Sequence, residues 1–346
     1  MQNPEPTASD NPPLVVGLIG AGGISRVHAP AWKALGAHVL VHSAEGAQAL
    51  ADAFDLEVVD AFEEVLERAE VIDIVTPTST HEEIALAAIA AGVHIVCEKP
   101  LTLSAASSRA VFDAAAAAGV QIYPAHVVRY TGPYEAAHRA VGAGTLGAVA
   151  VSRFFREASS PAIGTWFQDV KLSGGVIMDL MLHDLDQARW ICGEVESVYA
   201  VQNPPTVDGV IPSFVSAHVT LTHVGGAISH VHATWGATGT KFKTGFSIAG
   251  EKGVIGYSSL ANNGLTLEIR NPAEEGLTIP STSLRESPYL SEIREFTQAF
   301  RGGPAPRVNA EDGAIAVYLA EAAQRSLDTG SVIIMSELTN SQEDAS

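Results

Sequence analysis

The chain has 346 residues, 47% of them apolar and 17% charged, with a formal net charge of −19. That length favours two domains, and the composition supports sizeable cores and excludes global disorder. The acidic excess repels nucleic acid and anionic membrane, leaving small molecules and other protein chains as partners.

The chain opens on MQNPEPTASDNPP, which lacks the basic and then apolar order of a signal peptide, so residues 1–13 read as a flexible tail. Strands and helices then alternate. LVVGLIG (14–20) is an apolar strand followed by a helix through Leu35; AHVLVHS (37–43) is a second strand and GAQALADAF (46–54) a helix. LEVVD (56–60), the helix AFEEVLERA, VIDIVTP (71–77), the helix HEEIALAAIAAG (81–92) and VHIVCEKP (93–100) continue the pattern. An Ala-rich helix runs from an N-cap at Ser104 to a C-cap at Gly119, and VQIYPAHVV (120–128) is a sixth strand. Continuously apolar strands separated by helices predict a parallel, doubly wound α/β domain over residues 14–126.

After Gly147 the pattern changes. VAVSRFF (149–155), SVYAVQN (197–203), FVSAHVTLTHV (214–224), GAISHVHATWG (226–236), KTGFSIAGEKGVIGYS (243–258) and LTLEIR (265–270) read as half-polar strands joined by short turns. They predict an α+β domain over 127–335, a large, open, mainly antiparallel sheet with helices on one face. Helices are expected at Tyr134–Val141, over 175–192, and at Glu311–Leu327, the last able to pack back on the first domain before a strand SVIIM. Residues 336–346 read as a second tail. No apolar run reaches the roughly 18 residues of a membrane span, and two cysteines, Cys97 and Cys192, fit a reducing cytoplasm, so a cytoplasmic location is expected.

Three stretches carry chemistry. Gly20-Ala-Gly22-Gly23-Ile24-Ser25 lies where the first strand becomes the first helix, the place where glycines let backbone N–H groups approach a pyrophosphate. Its last position holds Ser25 rather than glycine. About 20 residues on, where an acidic residue would bind a ribose, the chain has His42 and Ser43, with Glu45 beyond. No Lys or Arg lies between Lys33 and Arg68, though Arg26 is near, so the loop leans to NAD and leaves NADP open. Cys97-Glu98-Lys99-Pro100 ends the fifth strand at the ligand-binding edge, and a lysine there can donate a proton. Further on, SGGVIMDLMLHDLDQARW (173–190) sets Asp179, His183, Asp184 and Asp186 in an apolar helix. Helical spacing puts Asp179 and His183 on one face, with Asp186 nearly aligned and Asp184 turned about 100° away. Gly174 and Gly175 would let the chain approach a ligand.

Together with Thr76-Pro77-Thr78-Ser79-Thr80-His81, these motifs resemble the Gfo/Idh/MocA family of NAD(P)-dependent sugar and polyol dehydrogenases, related to inositol dehydrogenase and glucose–fructose oxidoreductase. The resemblance runs from Leu14 to about Met335 and implies a Rossmann domain followed by an α+β domain whose open sheet forms a dimer or tetramer interface. It implies that Lys99 relays a proton or orients the hydroxyl, that His183 is the general base, and that Asp179 orients the substrate or His183. Gly20, Gly22, Gly23 and Ile24 would line the diphosphate and Ser43 the adenosine ribose. Thr76, Pro77, His81 and Glu98 would line the nicotinamide half, beside Lys99. His126, Arg129 and Trp166 are further substrate-side candidates, although Arg129 can equally form a structural ion pair and Trp166 can simply pack. Asp169 and Lys171 flank the same loop. His28, His38, His94, His138, His223, His230 and His232 read as surface or satisfied core histidines.

The expected activity is oxidation of a secondary hydroxyl of a sugar, inositol or related polyol, with histidine supplying a base near neutral pH without large tuning. Three alternatives stay open: a sugar–sugar oxidoreductase with a tightly held cofactor, a metal-dependent hydrolase or lyase using Asp179, His183 and Asp186, and a non-catalytic NAD sensor. No metal is expected on the first reading.

Overall fold

A computed structural model of the chain describes residues 12–162, 164–261, 264–269 and 286–336. The tail readings for 1–11 and 337–346, and Arg270 of the predicted last strand of its run, lie outside the described residues.

The first part follows the alternation read from the sequence: β1 (Val15–Ile19), α1 (Ser25–Ala34), β2 (His38–His42), α2 (Ala47–Phe54), β3 (Glu57–Val58), α3 (Phe62–Arg68), β4 (Val71–Ile74), α4 (His81–Ala90), β5 (His94–Glu98), α5 (Ala105–Ala118) and β6 (Ile122–Ala125). The six strands pair in parallel in the order β3-β2-β1-β4-β5-β6. The order reverses between β1 and β4, and ligands of such sheets bind in the crevice outside the carboxyl ends of the strands at that point. Ser104 caps α5 by accepting a hydrogen bond from the Ser107 N–H, and Gly119 ends it in the left-handed region at φ 68°.

The second part contains α6 (Gly132–Gly142), β7 (Val149–Ser159), the short α7 (Val170–Ser173), α8 (Leu182–Cys192), β8 (Val195–Asn203), β9 (Val215–His223), β10 (Ile228–Gly236), β11 (Lys243–Gly250), β12 (Gly253–Ser258) and β13 (Leu265–Ile269), then α9 (Pro288–Phe300), α10 (Ala310–Thr329) and β14 (Ile333–Ile334). Eight strands pair in the order β13-β12-β11-β7-β10-β9-β8-β14, and all neighbours are antiparallel except β7 and β10. The 243–258 run is two strands rather than one, turning at Glu251 and Lys252. One sheet face, including Val198, Ala200, Val219, Leu221, Val231 and Ile248, is buried under helices. The opposite face stays open.

Two helices stitch the parts together. α10 packs on both β8 and α5, and Glu321 accepts the N–H of Ala105 at 2.8 Å. A capping box between Asn309 and Asp312 starts α10, a device worth about 1 kcal/mol. α9 was absent from the sequence expectation. It packs on α1 and buries Ile293 and Phe296 beside Trp32 and Tyr130. Its signal was present as Tyr289, Ile293, Phe296 and Phe300, apolar residues at helical spacing. Among the described residues no helix is long and apolar enough to cross a membrane.

Candidate active site

The glycine loop follows from β1. Gly20 has φ 112°, and a Cβ there would lie 3.0 Å from the main chain of Val75, so only glycine fits between the two strand ends. Its N–H donates to the His42 carbonyl at 2.9 Å, which closes the turn. A Cβ placed on Gly22 or Gly23 would meet no atom within 4 Å, so the loop faces free space. α1 begins there with Ile24 at its cap, no capping side chain and no acidic residue in its first turn. The buried Ser25 hydroxyl donates to the Gly22 carbonyl at 2.6 Å and holds the loop. An uncapped helix N-terminus facing open volume suits an anionic diphosphate. Ser43 follows β2 and is half-buried. The cations flanking it in sequence are committed elsewhere: Lys33 to Asp55 and Arg68 to Glu57 and Glu64. Arg26 is exposed on α1.

After β4, Thr76 accepts a hydrogen bond from the Thr80 hydroxyl at 2.7 Å, and Pro77 is exposed. His81 is buried between the carbonyls of Thr76 and Pro100, one ring nitrogen 2.9 Å from each. Burial lowers its pKa, and a neutral ring donates only one of those bonds. His81 thus ties the β4 loop to the β5 loop.

The end of β5 carries Glu98 and Lys99. One Glu98 oxygen accepts the Lys99 N–H at 2.9 Å, and the other lies 3.2 Å from His28 Nε2. His28 Nδ1 is 2.9 Å from Asp73, which also accepts the Trp32 indole N–H at 2.7 Å. Burial opposes charge on His28, but Asp73 and Glu98 outweigh it and raise its pKa well above 6.5. Burial likewise pushes Glu98 up, yet His28 and Lys99 bring it below the usual carboxylate value. Cys97 is buried, and burial raises its thiol well above the ordinary range, so it is a packing residue.

Lys99 reaches the second domain. Its Nζ donates to the Asp179 carbonyl at 2.7 Å and lies 3.4 Å from Asp179 Oδ1. The 175–192 segment is not the single regular helix expected: Ile177–Met181 forms a π turn that runs into α8. Such wide turns often mark functional sites, and the carbonyl Lys99 uses lies inside this one. Gly174 has φ 72°, and a Cβ there would sit 2.6 Å from the Met178 side chain. Only glycine allows that close packing at the entry to the π turn.

His183 is partly buried, and its Nδ1 has no hydrogen-bond partner among the described residues. Burial, then the charges of Lys99, Arg156 and His126, hold its pKa well below 6.5. That tuning is larger than the sequence implied. Asp184 turns away, as its 100° offset required, and is fully buried against Arg156 through bonds of 2.8 and 3.0 Å.

Asp186 does not join Asp179 and His183. Arg129 holds both its oxygens from Nε and Nη2, and also donates from Nη1 to Asp312 and the Arg307 carbonyl. Burial opposes ionisation of Asp186, but Arg129 and His126 hold it far below the usual carboxylate range. The Asp179–His183–Asp186 trio needed for a metal is therefore not assembled, and no cluster of three such ligands occurs among the described residues. Arg129 is 1% exposed, and four of its five guanidinium N–H groups are used in this network, the arrangement of a structural ion pair. His126 is equally buried, with Nδ1 3.4 Å from Asp186 and no hydrogen-bond partner on either nitrogen among the described residues. Trp166 is half-buried and stacks on Phe167 at 3.8 Å between ring centroids. Asp169 caps α7 by accepting the Lys171 N–H, while the Lys171 residue itself is exposed. Sequence reasoning missed His28, Asp73 and Arg156; the one clear signal was Asp73, a charge inside the apolar strand VIDIV.

Comparison with known proteins agrees with this geometry. Residues 14–126 match an oxidoreductase family with an NAD-binding Rossmann fold, and residues 134–256 match the GFO/IDH/MocA C-terminal domain. The chain is 29% identical to an inositol 2-dehydrogenase of Rhizobium meliloti, covering 90% of this chain and 96% of that one. It is 28% identical to a myo-inositol 2-dehydrogenase of Thermotoga maritima, again covering 90% and 96%. Among solved structures, a levoglucosan dehydrogenase in complex with NADH and L-sorbose superposes with a TM-score of 0.79 at 25% identity, over 93% of this chain and 98% of that one. With a six-stranded Rossmann sheet, a glycine loop opening on free volume and a lysine bridging to the C-terminal domain, the chain belongs to the Gfo/Idh/MocA family of NAD-binding oxidoreductases.

Proposed function

We propose that this chain oxidises a secondary hydroxyl of a sugar, inositol or related polyol, with Lys99, Asp179 and His183 handling the proton and orienting the substrate. The observation that carries the reading is the contact between Lys99, at the nicotinamide end of the sheet, and Asp179, one turn before His183 in the other domain. The loop Gly20–Ile24 and the start of α1 hold the diphosphate; Ser43 holds the adenosine ribose. Thr76, Pro77 and Glu98 border the nicotinamide half, with His81 bracing the two loops beneath. A nicotinamide held there supplies the hydride acceptor.

His183 is kept neutral at physiological pH by burial and by neighbouring cations, so it is free to accept a hydroxyl proton. The same cations make its imidazolium short-lived. Lys99 carries one of those charges, so its ammonium donates to the substrate oxygen and orients the hydroxyl towards His183, while Asp179 holds the lysine in place through its carbonyl. Water exclusion in the cleft between domains strengthens each of these interactions. Trp166 forms a wall of the substrate pocket, and His126 backs His183.

Ser43 at the ribose end, with Lys33 and Arg68 already paired, fits NAD better than NADP. Relatives named for inositols and levoglucosan support a ring polyol or monosaccharide as substrate. The open face of the large sheet supports a homo-oligomer. A screen of inositols, aldoses and sugar acids with NAD and NADP separately tests the reading: turnover of none of them with either cofactor sinks it.

A further inference from the structure

Behind Lys99 lies a buried charged cluster that hydride transfer does not itself require. His28, on α1 one turn past the glycine loop, is fully buried between Asp73 of β4 and Glu98 of β5. We propose that His28 is a positioning residue, clamped between Asp73 and Glu98 so that the Glu98 carboxylate, and through it the main chain of Lys99, is fixed at the nicotinamide end of the cleft. This rests on the reading of Lys99 and Glu98 given above.

The geometry supports a continuous chain of contacts. Trp32 Nε1 donates to the same Asp73 oxygen that meets His28 Nδ1, while Asp73 Oδ1 is buried without a hydrogen-bond partner among the described residues. His28 Nε2 then engages one Glu98 oxygen, and the Lys99 N–H takes the other. The chain crosses the point where the strand order reverses, joining the helix that starts at the diphosphate loop to the strand end that carries the nicotinamide half. Other groups facing His28 come from α9: Tyr289, its ring 5.9 Å from the imidazole, and the buried Glu292, whose carboxyl has no hydrogen-bond partner among the described residues. Burial, then the nearby Glu98, raises Glu292 well above the usual carboxylate value, which favours its neutral form. A site needing only to be filled would be served as well by apolar side chains, because buried ion pairs are often replaceable by them without loss. Here two carboxylates converge on one ring from separate strands, and one of them touches the backbone of Lys99.

The test is binding, measured with two probes. NADH carries the nicotinamide and ADP-ribose does not, so the ratio of their dissociation constants isolates the nicotinamide end. In His28→Phe the NADH dissociation constant should rise about tenfold, while that for ADP-ribose stays within about twofold. Glu98→Gln should shift the ratio in the same direction, and the double variant should be no weaker than the weaker single one. His28→Gln, which keeps one donor, should recover part of the loss, and its ratio decides the matter if the Phe variant does not fold. Equal losses for both probes would mean that His28 only supports α1. An unchanged ratio, or losses that multiply in the double variant, would equally overturn the proposal. Turnover of Lys99→Ala is a separate readout, so failure of the dehydrogenase reading leaves this result interpretable.

Discussion

The Lys99 ammonium lies 2.7 Å from the main-chain carbonyl of Asp179, a residue of the other domain. A lysine placed only for charge would pair with the carboxylate; here the shorter bond is to the backbone at a π turn, which fixes the ammonium independently of the Asp179 rotamer. Lys99→Ala should therefore lower kcat by about 10²–10⁴-fold, the usual scale for losing a proton-transfer group, while NADH binding changes little. Steady-state kinetics with the best sugar from the screen checks this. Unchanged turnover would remove Lys99 from the chemistry.

His183 gives a pH signature. Its folded pKa is depressed by burial and by Lys99, Arg156 and His126. The neutral base in the free enzyme should persist below pH 6.5, so the acid limb of kcat/KM lies below that value. Linkage has the same sign: the unfolded chain binds the proton more readily, so this contribution to stability is present above pH 6.5 and is lost as pH falls from there through the folded pKa. His183→Asn should abolish the acid limb along with most of kcat and flatten that part of the stability profile. An acid limb at or above 6.5 would show that His183 is not the group titrating.

Much of this was legible in the sequence, and the gaps have physical causes. The alternation of apolar strands and helices up to Ala125 gave the parallel sheet because strands buried on both faces have little freedom of composition. The glycine loop and the EKP stretch stood out because strand ends are where backbone and lysine chemistry meet ligands. The π turn was not legible, since a single extra residue in a turn leaves no periodic trace over so short a span. Without it, regular helical spacing aligned Asp186 with Asp179. The fate of Asp186 is set instead by Arg129, distant in sequence, and no local pattern shows such a pairing. His28 read as one more core histidine because its two acidic partners come from different strands.

The diphosphate loop can be tested apart from the fold. Gly22 faces open space, so Gly22→Ala should change stability by no more than about 0.5 kcal/mol. The added methyl would stand where the diphosphate approaches the backbone, and NADH affinity should fall at least about tenfold, near 1.4 kcal/mol. Fluorescence titration beside a thermal melt reads both quantities. Undiminished NADH binding would place the diphosphate elsewhere.

The open sheet face invites an assembly test. Rows across the sheet align Tyr199, Thr220 and His230, and next to them Val201, His218 and His232, with the last two rings stacked at 4.4 Å. Val201, Ile228 and Val254 are exposed on this face. Isolated exposed apolar residues are ordinary, but several of them on one open sheet face favour a second copy as cover. Sedimentation should show a dimer or tetramer, and Val201→Glu with Ile228→Glu should shift it to monomer. A wild-type monomer at micromolar concentration would refute the expectation.

Arg129 and Asp186 were candidates for the substrate and for a metal, and their pairing predicts neither role. Both are almost wholly buried and doubly hydrogen-bonded to each other. Removing one partner strands the other charge in an apolar interior, so Arg129→Met should destabilise the fold by about 3–5 kcal/mol. The Asp186 carboxyl is held far below its unfolded value, so its stabilising share is present above about pH 4 and is lost as acid titrates it towards its folded pKa; Asp186→Asn should remove that share of the acid sensitivity. The sharper test is the double variant, Arg129→Met with Asp186→Leu. If the pair is structural, replacing both charges restores much of the stability lost by Arg129→Met alone, and the folded enzyme keeps its KM for sugar. If Arg129 instead grips the substrate, the double variant regains stability in urea denaturation but its KM rises at least tenfold. Because the guanidinium already donates to Asp186, Asp312 and the Arg307 carbonyl, the first outcome is the one expected.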